Sequence, residues 1–244
     1  VGIDDEDLRI DLMSQLAYFI PHLLALSCSS PFWQGDDTGL KSYRLTVFDN
    51  LPRTGLPAEF QSYAEYERHV QVLINAGVLE DSSKIWWDIR PSAKYPTLET
   101  RIMDVCTRMD DAISLAAILV STIRMLYRLR IKNQRWRDYN PMLIRENRWR
   151  AMRYSYDEGL IDFGTGNIVP FEQLLDEFIE LTLEDAKFLG CESEVAATKN
   201  ILNRGTSAHR QLETYQLSID AGKNSEEALK DVVDMLISET ALGL

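Results

Sequence analysis

Residues 88–104 read DIRPSAKYPTLETRIMD, and this stretch decides the fold of the chain. β-Branched and aromatic residues are concentrated at 85–90 and again at 96–105, a composition that predicts two strands. We expect these strands to be antiparallel neighbours in one sheet.

Three charged side chains fall on one surface of this predicted sheet. Because side chains alternate along a strand, Glu99 and Arg101 share a face, and pairing of the strands brings Arg90 beside them in one cleft. Carboxylates bind Mg²⁺, and fixed guanidinium groups stabilise a transferring phosphoryl group. The alternative is a solvated sheet face whose ion pairs contribute little to stability, and the spacing alone does not exclude it.

Helical periodicity dominates the sequence on both sides of this sheet. Apolar residues recur at intervals of three or four through residues 4–30, where Pro21 is expected to interrupt the helix. Ser62 and Glu65 form a capping box that starts a helix ending near Gly77. Helices that back and follow a few strands predict an α+β fold. Further helices are predicted at 110–132, 141–154, 171–189, 193–203, 207–221 and 225–240, with a hairpin turn at 162–167.

A second candidate segment, residues 29–44, reads SSPFWQGDDTGLKSYR. It opens a stretch up to residue 57 whose Gly, Pro, Ser and Asp content predicts a long irregular loop. Trp33 and Tyr43 offer flat walls, and Arg44 is suited to bind a carboxylate through two donors. The alternative, that these aromatic side chains only fill the core, is the better explanation of the segment taken alone.

Two helical segments carry weaker signals. Residues 145–154 read RENRWRAMRY, and their spacing places Asn147, Arg150 and Tyr154 on one face. A phosphate contact is the functional interpretation, whereas a basic solvated surface is the usual explanation. For residues 204–211, RGTSAHRQ, the capping of two helices is a sufficient explanation.

The composition argues against several classes of protein. The net charge of −12 and the pI of about 4.8 argue against binding a nucleic acid, although a few local arginines suffice for a nucleotide. Three separated cysteines without a Cys-x-x-Cys pair indicate the reduced thiols of a cytoplasmic protein. The histidines form no local zinc motif. The longest apolar run, at 112–120, is too short to cross a bilayer, so we expect no membrane attachment.

Together these segments resemble one family, the type-2 glutamate–cysteine ligases, also called carboxylate–amine ligases. The resemblance extends over nearly the whole chain, and two rare strings in the right order make coincidence improbable. The most specific strings are SPFWQG at 30–35 with DTG at 37–39, and RPS at 90–92 followed by YPTLE at 95–99.

The resemblance implies a glutamine-synthetase-like fold, in which an antiparallel sheet with packed helices carries metal ligands and phosphate-binding arginines. Glu99 and Arg101 resemble the Glu-x-Arg of a late active-site strand in that superfamily. The implied reaction uses ATP and Mg²⁺ to activate the side-chain carboxylate of glutamate as an acyl phosphate and to join it to an amine such as cysteine. The expected site residues are Arg90 and Arg101 for catalysis, Glu99 for the metal, Trp33, Gln34, Tyr43 and Arg44 for the substrate, and Asn147 and Arg150 for the nucleotide.

Two metal-binding patterns of the family, a Gly-Val-Glu-Glu-Glu strand and a His-x-His strand, do not occur in this sequence. We therefore expect a single catalytic domain over residues 1–244 that is incomplete at its N-terminus, with a sheet-bearing part at 1–108 and a mainly helical part at 109–244. Val1–Ile3 are then the end of a strand beside the sheet. The missing strands are expected from a disordered or cleaved segment or from a separate N-terminal chain, and a homo-oligomer is a further option. The rival interpretation is a non-catalytic scaffold that needs such a partner.

Overall fold

The structure is a computed structural model, and it describes residues 1–242, which contain eleven α-helices. The helices are α1 (Glu6–Leu16), α2 (Ile20–Ser27), α3 (Arg44–Asp49), α4 (Tyr63–Asn75), α5 (Met109–Ile131), α6 (Pro141–Tyr154), α7 (Phe171–Leu189), α8 (Glu192–Ala196), α9 (Lys199–Arg204), α10 (Ser207–Asp220) and α11 (Ser225–Thr240).

Eight short strands form four two-stranded pairs within the described residues. Three pairs are antiparallel, and the pair formed by Thr54–Gly55 and Trp86–Trp87 is parallel. The mixture of helices and strands confirms the predicted α+β class, although the described residues form short pairs rather than one wide sheet. The strands are β1 (Phe32–Trp33), β2 (Asp36–Asp37), β3 (Thr54–Gly55), β4 (Trp86–Trp87), β5 (Ile89–Pro91), β6 (Leu98–Thr100), β7 (Leu160–Asp162) and β8 (Asn167–Val169).

The strand pair predicted from the opening stretch is present and antiparallel. β5 and β6 pair with Arg90 opposite Glu99. On the other edge of β6, Gly2 pairs with Thr97, and backbone hydrogen bonds of 2.8 Å lie on either side of that bridge. The expectation that Val1–Ile3 lies beside this sheet is therefore confirmed.

The second strand is shorter than the predicted 96–105 because a side chain takes the place of a neighbouring strand. β6 ends at Thr100. Beyond it, Nη2 of Arg44 donates hydrogen bonds of 2.7–3.2 Å to the three successive carbonyl groups of residues 101–103. These carbonyls are therefore satisfied without a strand partner.

The prediction of one long irregular loop at 29–57 is wrong, because this segment contains regular elements. The chain instead makes the β1–β2 hairpin, the helix α3 and the strand β3. Gln34 and Gly35 form the two-residue turn of the hairpin with φ angles of 51° and 96°. Left-handed conformations at both central residues suit the twist of a tight hairpin. The sequence hid this turn because glutamine is an unusual residue there.

The helical half largely follows the prediction, with one difference. The expected helix at 193–203 is divided into α8 and α9. The hydroxyl of buried Thr198 donates to the Val195 carbonyl at 2.7 Å, and the Thr198 amide donates to the same carbonyl at 3.2 Å. These local bonds replace the regular helical ones at the break.

The N-terminal helical stretch is interrupted in the turn that precedes Pro21, in agreement with the predicted interruption. A 3₁₀ turn at Ala17–Phe19 separates α1 from α2, and Pro21 lies in the first turn of α2. Every residue of α2 is buried. The α1–α2 segment therefore forms the centre of the core, against which the β5–β6 pair packs through buried Ile89 and Leu98.

A histidine in this core makes stability depend on pH. His22 is 5% exposed and lies among the rings of Tyr18, Phe19, Phe171 and Phe178. Burial lowers the pKa of His22 from 6.5 to about 4. Between these two pKa values the unfolded chain binds a proton at His22 and the folded protein does not. The stabilising contribution of neutral His22 is therefore fully present above pH 6.5 and is lost as the pH falls towards 4.

Because of this histidine, we expect the free energy of unfolding to fall by about 3 kcal/mol as the pH is lowered from 6.5 to 4. In a His22→Phe variant that part of the pH dependence disappears, because no imidazole remains to be protonated. Urea unfolding at pH 7, 5.5 and 4.5 measures it. An unchanged slope of stability against pH in the variant would contradict the presence of a buried neutral imidazole.

Two helical stretches are long and apolar enough to cross a membrane on length and composition alone, Glu6–Ser27 and Met109–Ile131. Of their apolar windows, 83% and 50% respectively are buried inside the protein. Core helices pass the same test, so the absence of membrane attachment stays a prediction.

Candidate functional site

The three charged residues of the opening stretch meet on one face of the β5–β6 pair. Nε of Arg90 donates to Oε2 of Glu99 at 2.8 Å, and Nη1 of Arg101 donates to Oε1 of Glu99 at 2.9 Å. Side chains on the opposite face of the strands, such as Ile89, Leu98 and Ile102, are fully buried. The prediction that Arg90, Glu99 and Arg101 share one surface is therefore confirmed.

The electrostatics of this cluster favour an anion. Partial burial alone raises the pKa of Glu99, but the hydrogen bond from Arg90 and the charges of Arg90 and Arg101 hold that pKa below its usual range. Glu99 is thus ionised at neutral pH, and the two guanidinium groups leave a net charge of about +1 on the cluster. A local positive charge in a chain of net charge −12 suits a phosphate or carboxylate.

The two arginines differ in how many donors they have left. Arg90 also donates through Nη1 to the carbonyls of Ser83, at 2.7 Å, and Ile85, and its side chain is only 11% exposed. Arg101 is 30% exposed, and within residues 1–242 its side chain donates only to Glu99. Arg101 therefore offers Nε and Nη2 to a ligand, whereas Arg90 chiefly holds Glu99.

A second arginine with free donors lies beside Arg101. Arg44 and Arg101 line the same shallow depression, together with Asp49 and Asp88. Arg44 donates from Nε to Asp104 at 2.6 Å and from Nη2 to backbone carbonyls. Its Nη1 has no hydrogen-bond partner in the described part of the chain. Two arginines and two aspartates thus border one small depression.

The expected substrate-binding aromatics lie on the segment that precedes Arg44. The rings of Trp33 and Tyr43 are 5.4 Å apart and tilted by 35°, and Trp33 is 45% exposed. Gln34 is exposed at the tip of the β1–β2 hairpin. This geometry leaves a wall open to solvent rather than plugging the core, and the substrate contacts of Trp33, Gln34 and Tyr43 stay predictions.

Asn147 and Arg150 are engaged in holding the β7–β8 hairpin. The Asn147 amide exchanges two hydrogen bonds of 2.8 Å with the backbone of Ile161, and Asn147 is 2% exposed. Arg150 donates to the carbonyls of Gly159 at 3.2 Å and Glu158 at 2.5 Å. A nucleotide contact by either side chain stays a prediction, and for Asn147 it requires these bonds to break.

Sequence reasoning missed the ion pairs of the buried Arg148 that support the site. Arg148, with 10% of its side chain exposed, donates to Asp88 at 2.7 Å and to Asp49 at 2.9 Å. Burial raises the pKa of Asp88, and the charge and hydrogen bond of Arg148 oppose that rise. The Asp88 carbonyl in turn accepts from the Arg101 amide at 2.7 Å. No local spacing reveals this link, because Arg148 and Asp88 are far apart in the sequence.

The described residues do not by themselves fit a magnesium site. Within residues 1–242 no group of three or more His, Cys, Asp or Glu side chains is arranged to hold a metal. Both oxygens of Glu99 already accept from arginines, and the surrounding charge is positive. Mg²⁺ usually takes more than one carboxylate together with water and phosphate oxygens. Glu99 as a metal ligand therefore stays a prediction that requires further ligands.

Comparison with known proteins decides the family. The sequence profile described as glutamate–cysteine ligase family 2 matches residues 1–235. The chain belongs to glutamate–cysteine ligase family 2.

Three relatives in this glutamate–cysteine ligase family carry the name "Putative glutamate--cysteine ligase 2". The chain is 59% identical to the one from Rhodospirillum rubrum, 55% to that from Jannaschia sp. and 43% to that from Solibacter usitatus, each over all 244 residues. It spans 63%, 64% and 61% of their respective lengths.

Proposed function

We propose that the protein containing this chain is an ATP-dependent carboxylate–amine ligase that joins the side-chain carboxylate of glutamate to an amine such as cysteine. One observation supports the proposal: two arginines with uncommitted donors, Arg44 and Arg101, line one depression, and Arg101 is held by an ion pair with Glu99. Family membership adds the type of reaction.

The reaction balances as two displacements. An oxygen of the glutamate side-chain carboxylate bonds to the γ-phosphorus of ATP while the bond from that phosphorus to the β–γ bridging oxygen breaks, which releases ADP. The amine nitrogen then bonds to the acyl carbon and loses a proton. Inorganic phosphate departs with the oxygen that came from glutamate.

The residues of this chain supply positioning and positive charge in that scheme. Arg101, fixed on one side by Glu99, donates to the transferring phosphoryl group, whose charge is spread over its oxygens. Arg90 keeps Glu99 in place. Through Nη1, the nitrogen left free on Arg44, this side chain binds the carboxylate of the amino-acid substrate against the wall of Trp33 and Tyr43. The two-donor contact expected from the sequence is not available, because Nε and Nη2 are occupied. Asn147 and Arg150 are the remaining candidates for the nucleotide.

The direct test is to measure ADP release and the condensation product by mass spectrometry with ATP, glutamate and cysteine. We expect ADP release that depends on glutamate, and a γ-glutamyl amide in equal amount. Replacing cysteine with other amines then identifies the acceptor. ATP hydrolysis that ignores glutamate, or no turnover in the intact protein, would reject the proposal.

A further inference from the structure

The carboxylate of Asp104 joins three separate segments of the chain beneath the site. Asp104 is 6% exposed. Its Oδ2 accepts from the Ser29 amide at 2.9 Å and from the Ser30 hydroxyl at 2.8 Å, and its Oδ1 accepts from the Ser42 hydroxyl at 3.0 Å and from Nε of Arg44 at 2.6 Å. Four donors therefore satisfy one buried carboxylate.

These bonds close the base of the segment that carries the aromatic wall. Ser30 and Ser42 form a bridge, with the Tyr43 amide donating to the Ser30 carbonyl at 2.8 Å. The Ser30 hydroxyl, which donates to Asp104, also accepts from the Arg44 amide at 3.1 Å. Residues 30–42 are thus a closed loop whose two ends are fixed by the same side chain.

Asp104 also follows the strand that carries the charged cluster, three residues after Arg101. Arg44 therefore bonds in two ways to the residues that follow this strand, through the Asp104 carboxylate and through the carbonyls of residues 101–103. From the other side, the α10 residue Gln211 donates to the Ser29 carbonyl at 2.9 Å. The loop and the strand are therefore connected through the Asp104 carboxylate and through the bonds from Arg44 to the carbonyls of residues 101–103.

We propose that Asp104 is the positioning residue of the site, which sets the Trp33–Arg44 segment against the Glu99–Arg101 strand so that Arg44 and Arg101 border the same depression. The inference rests on the proposed function for its meaning. Its structural content, local order of the loop, is measured independently of activity. A carboxylate is required because all four partners are donors, and an amide nitrogen at the same place would face a donor.

Hydrogen exchange of the Asp104→Asn variant, read by mass spectrometry, tests this coupling. We expect amides at 29–44 to exchange about ten- to a hundredfold faster, with α6 unchanged. The matched control is Asp185→Asn, since Asp185 is equally buried and binds Arg124 and Arg128 between α5 and α7. The control variant loosens α5 and α7 and leaves 29–44 protected.

The kinetic arm uses the intact ligase. We expect Asp104→Asn to raise KM for the amino-acid substrate about tenfold or more through misplaced Arg44, with a smaller change in kcat. Unchanged exchange at 29–44, loosening spread over the whole chain, or a normal KM despite a loosened loop would each overturn the proposal. If Asp104→Asn does not fold, Ser42→Ala removes one bond, and unchanged exchange at 29–44 in it is equally decisive. A ligase without turnover refutes the proposed function but leaves the exchange result readable.

Discussion

Replacing Arg101 with lysine is expected to lower kcat by about a hundred- to a thousandfold, equivalent to roughly 2.7–4 kcal/mol of transition-state stabilisation. Lysine keeps the charge but loses the rigid planar donor that spans Glu99 and a phosphoryl or carboxylate group. Charge builds on the transferring group in the transition state, so the loss falls mainly on kcat rather than on KM. Steady-state turnover with ATP, glutamate and cysteine measures it.

The same substitution at a surface arginine provides the control. Arg130 lies on α5 with 58% of its side chain exposed and pairs with Asp11 at 3.4 Å. We expect Arg130→Lys to leave turnover unchanged and stability within about 1 kcal/mol. Near-normal kcat in a well-folded Arg101→Lys variant would remove Arg101 from the catalytic site and leave it a structural ion pair.

Replacing Arg148 with methionine is expected to lower the unfolding free energy by about 3–5 kcal/mol at neutral pH. Methionine fills much of the same volume but leaves the buried carboxylate of Asp88 without its partner, and frees Asp49. Urea unfolding measures the loss. The deficit should shrink in acid, because the pKa of Asp88 is already raised by burial and a protonated Asp88 no longer needs a cation.

An exposed ion pair provides the control for this loss of stability. Arg108 donates to Asp110 in a bidentate pair at 3.0 Å, but 55% of the Asp110 side chain is exposed. We expect Arg108→Met to cost about 1 kcal/mol or less. If Arg148→Met costs no more than this control, the buried pair of Arg148 and Asp88 does not support the strand that carries Arg101.

Local pattern was enough to predict the elements on which the site lies. Alternation along residues 97–101 placed Glu99 and Arg101 on one face, and the expected pairing of the strands placed Arg90 beside them, which the structure confirms with Arg90 directly across from Glu99. Helical periodicity located the long helix α5 to within a residue at each end. These features depend on neighbours in sequence, which a single chain displays openly.

What could not be predicted depends on contacts between distant segments. Asp104 binds Ser42 across 62 positions, and Arg148 binds Asp49 across 99. Both aspartates, Asp104 and Asp49, are visible in the sequence. No local pattern, however, distinguishes a carboxylate that accepts several hydrogen bonds within the fold from one that is only solvated. The donors left to Arg90 and Arg101 differ for another reason, because Arg90 donates to the carbonyls of residues 83 and 85. These residues are near in sequence, but the alternation of side chains does not show that their carbonyls turn towards Arg90.

The most direct test of the account follows the oxygen atoms of glutamate. Glutamate labelled with ¹⁸O in its side-chain carboxylate is supplied to the intact enzyme with ATP and cysteine, and the released phosphate is analysed by mass spectrometry. Activation of the carboxylate at the γ-phosphorus predicts one ¹⁸O atom in each inorganic phosphate, in equal amount to the γ-glutamyl product. Product formed with unlabelled phosphate, or with the label in AMP, would contradict the reaction proposed for this site.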